Sequence, residues 1–298
     1  MKQSVNSVNI EGIVSEINLR EIDKSAETGK KYVAGEVVLQ VTDGEGKINT
    51  IPVSFISADV KKDGTPNQNY ARLMQLKDYN SIASAGIDNA TKVQVRNGSL
   101  TENFFMPPNG TNVVAMTRIS SNFFTKINET NFTPEATFSV SGFILTMNDE
   151  MKKDAEGNEQ PTGRLAIQAA LVGYNDQVEI FTFIAEKQAY IDFVKANWKV
   201  GDTVNIGGKI RFTEENIEVE QEVGFGEAEK KKYTKRIKEL IITRGSAGPV
   251  SEEEAYSEAD IRKGLAERKA RMEQVKEKAR TATNTTKHVT ATQGGFDF

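Results

Sequence analysis

The chain has 298 residues, of which 38% are hydrophobic and 27% are charged, and its formal net charge is −4. This length suffices for two domains with their own cores and an appendage, and the composition is typical of a soluble globular protein. The absence of cysteine excludes disulfides, thiolate zinc sites and cysteine nucleophiles, and no apolar run is long enough to span a membrane. Because Met1–Ser4 leads straight into strand-like sequence, we expect no secretory signal and predict a cytoplasmic protein.

The first half of the chain predicts three strands. A run rich in β-branched residues extends from Ile10 to Ile22, with Gly12 placed where a strand could bend or bulge. Tyr32–Thr42 alternates between apolar and polar residues and turns through Asp43–Gly46 into Ile48–Phe55. The second and third segments are therefore predicted to form a hairpin.

A short helix and two closing strands follow. The helix is predicted at Tyr70–Leu76, and the strands at Val93–Arg96 and Asn112–Met116. Between the strands, Leu100–Pro108 is predicted to be a loop that carries Phe104 and Phe105. Loops seldom hold phenylalanines without a binding or packing role.

The second half repeats this order about 130 residues later, which indicates a domain duplication. A glycine-bearing strand at Thr137–Asn148, around Gly142, matches the first strand of the first half. The later elements are a strand pair, a helix, another strand and a long hairpin, predicted at Arg164–Val172, Val178–Phe183, Glu186–Trp198, Val204–Phe212, and Ile217–Val223 with Tyr233–Thr243.

Three strands, a helix and two strands, with a glycine in the first strand, is the order of the OB fold, a five-stranded Greek-key barrel. The helix-to-strand step Lys199–Val204 also resembles that of many OB domains. Over residues 5–246 the chain resembles tandem OB-fold single-stranded DNA-binding proteins of the bacteriophage replication type. The resemblance implies a mainly β fold with OB domains at residues 1–132 and 133–248, and a charged helix with a flexible tail at 249–298.

The C-terminal region differs from the repeats. Ser251 and Glu254 form a possible capping box that starts a helix running to about Arg280, and the residues beyond it predict a disordered tail. One apolar stripe of this helix is suited to docking on a barrel or a partner, and it consists of Ile261, Leu265, Met272, Val275 and Ala279.

The terminal Phe296, Asp297 and Phe298 resemble the acidic tip with a final aromatic through which bacterial single-strand binders recruit replication and repair proteins. The resemblance implies that these three residues bind replication or recombination proteins. The tip has one Asp and lacks an acidic cluster and a penultimate proline, so a plain disordered end remains the alternative.

No catalytic motif is present. The single histidine, His288, lies in a Thr-rich stretch, and the sequence contains no phosphate loop, nucleophile elbow or dinucleotide fingerprint. We therefore expect no enzyme activity, catalytic residue, metal or cofactor. A nuclease with a metal–carboxylate site stays open as an alternative, because carboxylates are plentiful.

In an OB barrel the ligand groove crosses the second and third strands, between the loop joining strands one and two and the loop joining strands four and five. The resemblance implies nucleic-acid-binding cations and aromatics around this groove in both copies. In the first copy they are Arg20, Lys30, Lys31, Tyr32, Arg96, Phe104, Phe105 and Arg118. In the second they are Lys152, Lys153, Arg164, Lys209, Arg211, Phe225, Lys230, Lys231, Lys232, Tyr233, Lys235 and Arg236.

Each candidate also has a purely structural interpretation. Tyr32 could belong to a barrel core, Phe104, Phe105 and Phe225 could pack against a neighbouring domain, and the Lys230–Lys232 run could be a solvated strand face. The net charge of −4 is not that of a typical nucleic-acid binder, although affinity depends on local potential.

The function predicted from these features is binding and protection of single-stranded DNA with little sequence preference, in replication, recombination or repair. Cationic grooves and stacking aromatics would carry the binding. The alternative is a structural or assembly protein whose barrels and tail helix make protein contacts.

Overall fold

A computed structural model of the chain describes residues 1–23, 28–108, 110–153, 157–221 and 229–291, with side chains omitted at 215–221, 229–233 and 282–291. Within these ranges the fold is mainly β, and all of the strands join in one sheet. No described helix is both long enough and apolar enough to cross a membrane.

The first half forms a small closed barrel. Its elements are β1 (Asn6–Ile22), β2 (Tyr32–Thr42), β3 (Ile48–Ala58), α1 (Gln68–Met74), α2 (Ile82–Ala85), β4 (Lys92–Phe105), β5 (Val114–Ser120) and β6 (Phe124–Lys126). Strands β1, β2 and β3 form an antiparallel meander, and β4 pairs with both β1 and β5. Because β5 runs parallel to β3, the sheet closes on itself.

The second half repeats the same topology. Its elements are β7 (Glu135–Lys153), β8 (Glu159–Val172), β9 (Val178–Ala185), α3 (Gln188–Asn197), β10 (Thr203–Gln221) and β11 (Glu229–Gly245). Strand β10 pairs with β7 and β11, and β11 runs parallel to β9. This is the OB topology in each half, so the predicted fold class is confirmed.

Both first strands bend at matching positions. The register of β1 against β2 shifts between Val14 and Glu16, and that of β7 against β8 shifts between Ile144 and Thr146. Just before each bulge lies a glycine in close contact with the second strand: a Cβ on Gly12 would lie 2.9 Å from Val41 Cγ2, and one on Gly142 3.0 Å from Leu171 Cδ1. The bulge and the close approach let one strand pair with two neighbours around the barrel.

The two barrels are joined edge to edge. Strand β1 pairs antiparallel with β7, with Asn6 opposite Val140, and this pairing makes the two sheets continuous. Away from that seam, the backbone N–H of Phe212 donates to the Oδ1 of buried Asn49, at 3.0 Å. These contacts place the outer faces of β2 and β3 beside β10 and β11, where the candidate site lies.

The helix α4 (Glu258–Ala291) differs from the sequence prediction at both ends. Ser251 begins only a single turn, because residues on both sides of it are held by the second barrel. The backbone N–H groups of Val250 and Tyr256 donate to the backbone and side-chain oxygens of Thr203. The helix therefore starts after Ser257, and it continues past Arg280, where a disordered tail was predicted.

The first turns of α4 pack on the second barrel. Ile261 is buried in a cluster with Phe143, Ala170, Val172 and Val178. Gly264 allows this contact, since a Cβ there would lie 2.2 Å from Val178 Cγ2. Leu265 packs against the same cluster, so two of the five residues of the predicted apolar stripe contact the second barrel.

The next turn of α4 reaches the first barrel. The guanidinium of Arg268 donates to both oxygens of Glu102, at 2.7 Å each, and the Glu102 side chain is only 3% exposed. The guanidinium also lies 5.2 Å from the ring centroid of Phe104. The helix α4 therefore contacts both barrels.

Glu179 is a second carboxylate under this helix. Burial raises the pKa of Glu179, as does the nearby charge of Glu102, whereas Arg271 and Arg268 oppose the shift. The folded protein then holds this proton more tightly than the unfolded chain does, so stability falls as pH rises above the usual carboxyl range.

The variant Glu179→Gln removes this ionisation but keeps the oxygen that accepts the N–H of Glu102. We expect it to gain stability relative to the wild type as the pH is raised from about 4 to about 7. Urea unfolding at several pH values measures the difference, and a pH-independent difference would contradict the assignment.

Candidate nucleic-acid interface

The first barrel carries a cleft of about 950 Å³ across its outer face. It is lined by residues 17–20 of β1, 34–36 of β2, 54–56 of β3, 97 and 99 of β4, and 118 and 120 of β5, with residues 121–123 at one end. We call it the first cleft. It lies where an OB barrel is expected to bind a ligand.

The first cleft is lined by both exposed cations and exposed apolar side chains. Arg20 and Arg118, both predicted from the sequence, line it, and neither lies within ion-pair distance of a carboxylate in the described part of the chain. Ile56 is 59% exposed and Phe123 38% exposed. Phe123 was not among the residues predicted from the sequence. Its place in a Ser/Asn-rich turn after a strand is the signal that could have identified it.

The second barrel carries a cleft of about 920 Å³ in the corresponding place, which we call the second cleft. Its lining includes Lys47, which precedes β3, and Ile48, the first residue of β3, so the first barrel contributes to it. It also brings together a set of cations predicted from the sequence, namely Lys152, Arg164, Arg211, Lys235 and Arg236.

Two of these arginines are paired within the second cleft. Arg164 donates to Glu150, with Nε 2.6 Å from Oε2, and to Glu239 at 2.8 Å; Arg211 donates to Glu186 at 2.9 Å and to the other Glu239 oxygen at 3.3 Å. The Arg164 hydrogen bond lowers the pKa of Glu150, and Arg211 does the same for Glu186. Glu239 thus bridges both guanidinium groups.

The remaining cations of the second cleft are more accessible. Lys152, Lys235 and Arg236 are exposed, and the only ion pair recorded for them among the described residues joins Arg236 to Glu214 at 2.8 Å. Exposed ion pairs are weak, so this one competes little with a phosphate. The lysines and arginines of the cleft outnumber its two carboxylates, Glu150 and Glu239, which gives it a positive local charge.

A smaller cleft of about 330 Å³ between the barrels connects the other two. It shares Asn18 and Glu36 with the first cleft, and Thr213, Arg236 and Lys238 with the second. We call the three clefts together the groove. Its middle also contains Glu16 and Glu214, so the positive charge lies toward its ends.

Comparison with known proteins places the chain in a family. The sequence model of the YorF family matches residues 4–278. The chain belongs to the YorF family. No curated protein sequence matches it.

Solved structures that match this YorF family member include two of the single-stranded DNA binding protein from Thermus aquaticus. A deletion mutant of that protein is 10% identical, with 85% of this chain and 98% of that chain covered and a TM-score of 0.47. The wild-type protein is 12% identical, with 86% and 98% covered and a TM-score of 0.46.

Several predicted residues of this YorF protein's first barrel lie outside the groove. Lys30 Nζ donates to the backbone oxygens of Lys61, at 2.9 Å, and Val60, and Tyr32 Oη donates to Thr28 Oγ1 at 3.1 Å. These contacts use Lys30 and Tyr32 within the first barrel, near the start of β2. Lys31 and Arg96 are exposed on the barrel surface and stay predictions.

The prediction that Phe104 and Phe105 lie in a loop is wrong. Strand β4 continues through both residues because its hairpin with β5 pairs Phe104 with Ala115 and Phe105 with Val114. Both are half-buried, and Phe104 lies beneath Arg268 of α4. Neither lines the groove.

The other predicted residues of the second half are not brought together. Lys153 and Lys209 are exposed outside the groove. Strand β11 contains Lys230, Lys231, Lys232 and Tyr233, but their side chains fall outside the description. Phe225 and the terminal Phe296, Asp297 and Phe298 also lie outside the described residues.

Within the described ranges, no group of three or more His, Asp or Glu side chains is arranged to hold a metal ion. The carboxylates of the second cleft face arginines instead. The groove offers side chains for ion pairing, hydrogen bonding and apolar contact.

Proposed function

We propose that the chain binds single-stranded DNA without catalysing a reaction, and that one strand lies along the groove across both barrels. The observation that carries the proposal is the groove itself, which has exposed cations and exposed apolar side chains in the clefts of both barrels. Single-strand binders use this combination, because cations follow the phosphates and apolar or aromatic faces contact the bases.

The apolar contacts are present in both main clefts. Ile56 and Phe123 supply them in the first cleft, and Ile48 and Met151 in the second. Such side chains have no preference for one base edge, which supports binding with little sequence preference. The net charge of −4 is compatible with this function because the second cleft has a positive local charge.

We infer a role in protecting single-stranded DNA during replication, recombination or repair, in a protein of the bacteriophage replication type that works in the cytoplasm, or in the host cytoplasm if it is viral. Phe296–Phe298 would then recruit replication or recombination proteins. Residues 1–132, 133–248 and 249–298 remain the proposed domain boundaries, which is consistent with the short turn, Glu129–Asn131, between β6 and β7.

A titration with oligo-dT of about 30 nucleotides tests the function, since an OB fold occupies about 4 to 16 nucleotides. Tight binding at low salt that weakens steeply with added salt is expected. No binding at low salt would contradict the proposal. If light scattering then showed a large defined oligomer that ignores DNA, the assembly function would replace it.

A further inference from the structure

Phe123 occupies an unusual place at the end of the first cleft. It directly precedes β6, in which the ring of Phe124 packs edge-on against Phe55 with centroids 6.0 Å apart. Phe124 thus anchors the segment in the barrel, whereas Phe123 stays exposed and also lines a neighbouring cleft on the α1 side. The backbone N–H of Phe123 donates to Ser121 Oγ at 3.1 Å, which holds the turn in place.

Two amide side chains line the same cleft. Asn122 Oδ1 accepts the backbone N–H of Ile56 at 3.2 Å, and its Nδ2 has no recorded partner in the described part of the chain. Asn97 has a left-handed backbone, with φ of 55°, at a bulge of β4 against β1. Asparagine adopts this conformation more readily than most residues other than glycine, so Asn97 fits the bulge without large strain.

Arg20 and Arg118 complete the surroundings. Both are exposed and line the first cleft with Phe123, and they come from different strands, β1 and β5. A ring face, amide groups and two guanidinium groups are the elements that hold one unstacked nucleotide: the ring stacks on the base, the amides hydrogen-bond to its edge, and the cations contact phosphates.

We propose that the first cleft is a nucleobase site, in which one base of the bound strand stacks on Phe123 and presents its edge to Asn97 and Asn122. This inference rests on the proposed function and sharpens it. The second cleft, with its many cations, binds phosphates regardless of the base, so the two barrels have unequal roles.

The test compares oligo-dT with a base-free deoxyribose-phosphate strand of equal length. Phe123→Ala weakens binding of oligo-dT about tenfold and leaves binding of the base-free strand unchanged. Phe123→Trp, which keeps an aromatic face, retains the wild-type affinity. Phe193→Ala is the matched control, because Phe193 is an exposed phenylalanine of α3 outside the groove and has no expected effect.

Equal affinity of the wild type and Phe123→Ala for oligo-dT, with thermal unfolding unchanged, would overturn the nucleobase site and leave the proposed function standing. Failure of the wild type to bind either strand would overturn both.

The amide contacts have their own variant. Asn97→Gly keeps the left-handed backbone and removes the amide, so it changes the ratio of the affinities for oligo-dT and oligo-dC, whereas Phe123→Ala lowers both. An unchanged ratio would overturn the contact between Asn97 and the base edge.

Discussion

The triple variant Lys152→Gln, Lys235→Gln and Arg236→Gln is expected to bind oligo-dT on the order of a hundredfold more weakly than the wild type at low salt. These three side chains are exposed in the second cleft, and their removal leaves the Arg164–Glu239–Arg211 network intact. Each phosphate contact adds about 0.7 to the dependence of log affinity on log salt for a single strand, so the slope falls by about 2. Fluorescence titration across salt concentrations measures both quantities.

The matched control removes three exposed lysines elsewhere. Lys62, Lys199 and Lys263 lie outside the groove, and changing them to glutamine alters the net charge by the same amount. We expect a loss of less than about threefold from this control. Equal losses from the two triple variants would mean that overall charge, and not the second cleft, governs binding.

Replacing Arg268 with methionine should destabilise the protein by about 3 kcal/mol. The side chain of Glu102 is 3% exposed, and the backbone N–H of Glu102 donates to the carboxylate of Glu179. Loss of the Arg268 guanidinium therefore leaves the buried charge of Glu102 unpaired beside a second carboxylate. The double variant Arg268→Met with Glu102→Gln should recover most of the loss, because no uncompensated charge remains. Urea unfolding at neutral pH gives the free energies.

Arg262 supplies the control on the same helix. It pairs with Glu258 one turn away, and its side chain is 76% exposed, so Arg262→Met should cost less than about 0.5 kcal/mol. Similar small losses in Arg262→Met and Arg268→Met would show that α4 is not fastened to the first barrel through Glu102.

The fold could be predicted from the sequence because its signals are local. The alternation of Tyr32–Thr42, the turn at Asp43–Gly46 and the paired glycines Gly12 and Gly142 each indicate their own element, and the duplication repeats the evidence. The prediction that α4 starts at Ser251 was wrong because the signal that decides it is not local. Contacts with Thr203, about 50 residues earlier, hold Val250 and Tyr256, so the helix starts only after Ser257.

The candidate site was predictable only in part. Once the OB fold is assumed, the positions on its strands predict the two arginines of the first cleft, Arg20 and Arg118, and five cations of the second cleft. The bridging of Arg164 and Arg211 by Glu239 depends on strand register, which the sequence does not specify. Phe104 was assigned to binding because it falls in a predicted loop. Its contact with Arg268 of α4, far along the chain, leaves no local signal.

The central claim is that one strand occupies both barrels through a continuous groove. Calorimetric titration with oligo-dT of increasing length tests it most directly. The groove predicts one strand of about 30 nucleotides per protein, with an affinity that keeps rising beyond the length that a single OB fold holds, about 4 to 16 nucleotides. Binding of two strands per protein, or an affinity that stops rising at the length of one barrel, would contradict it.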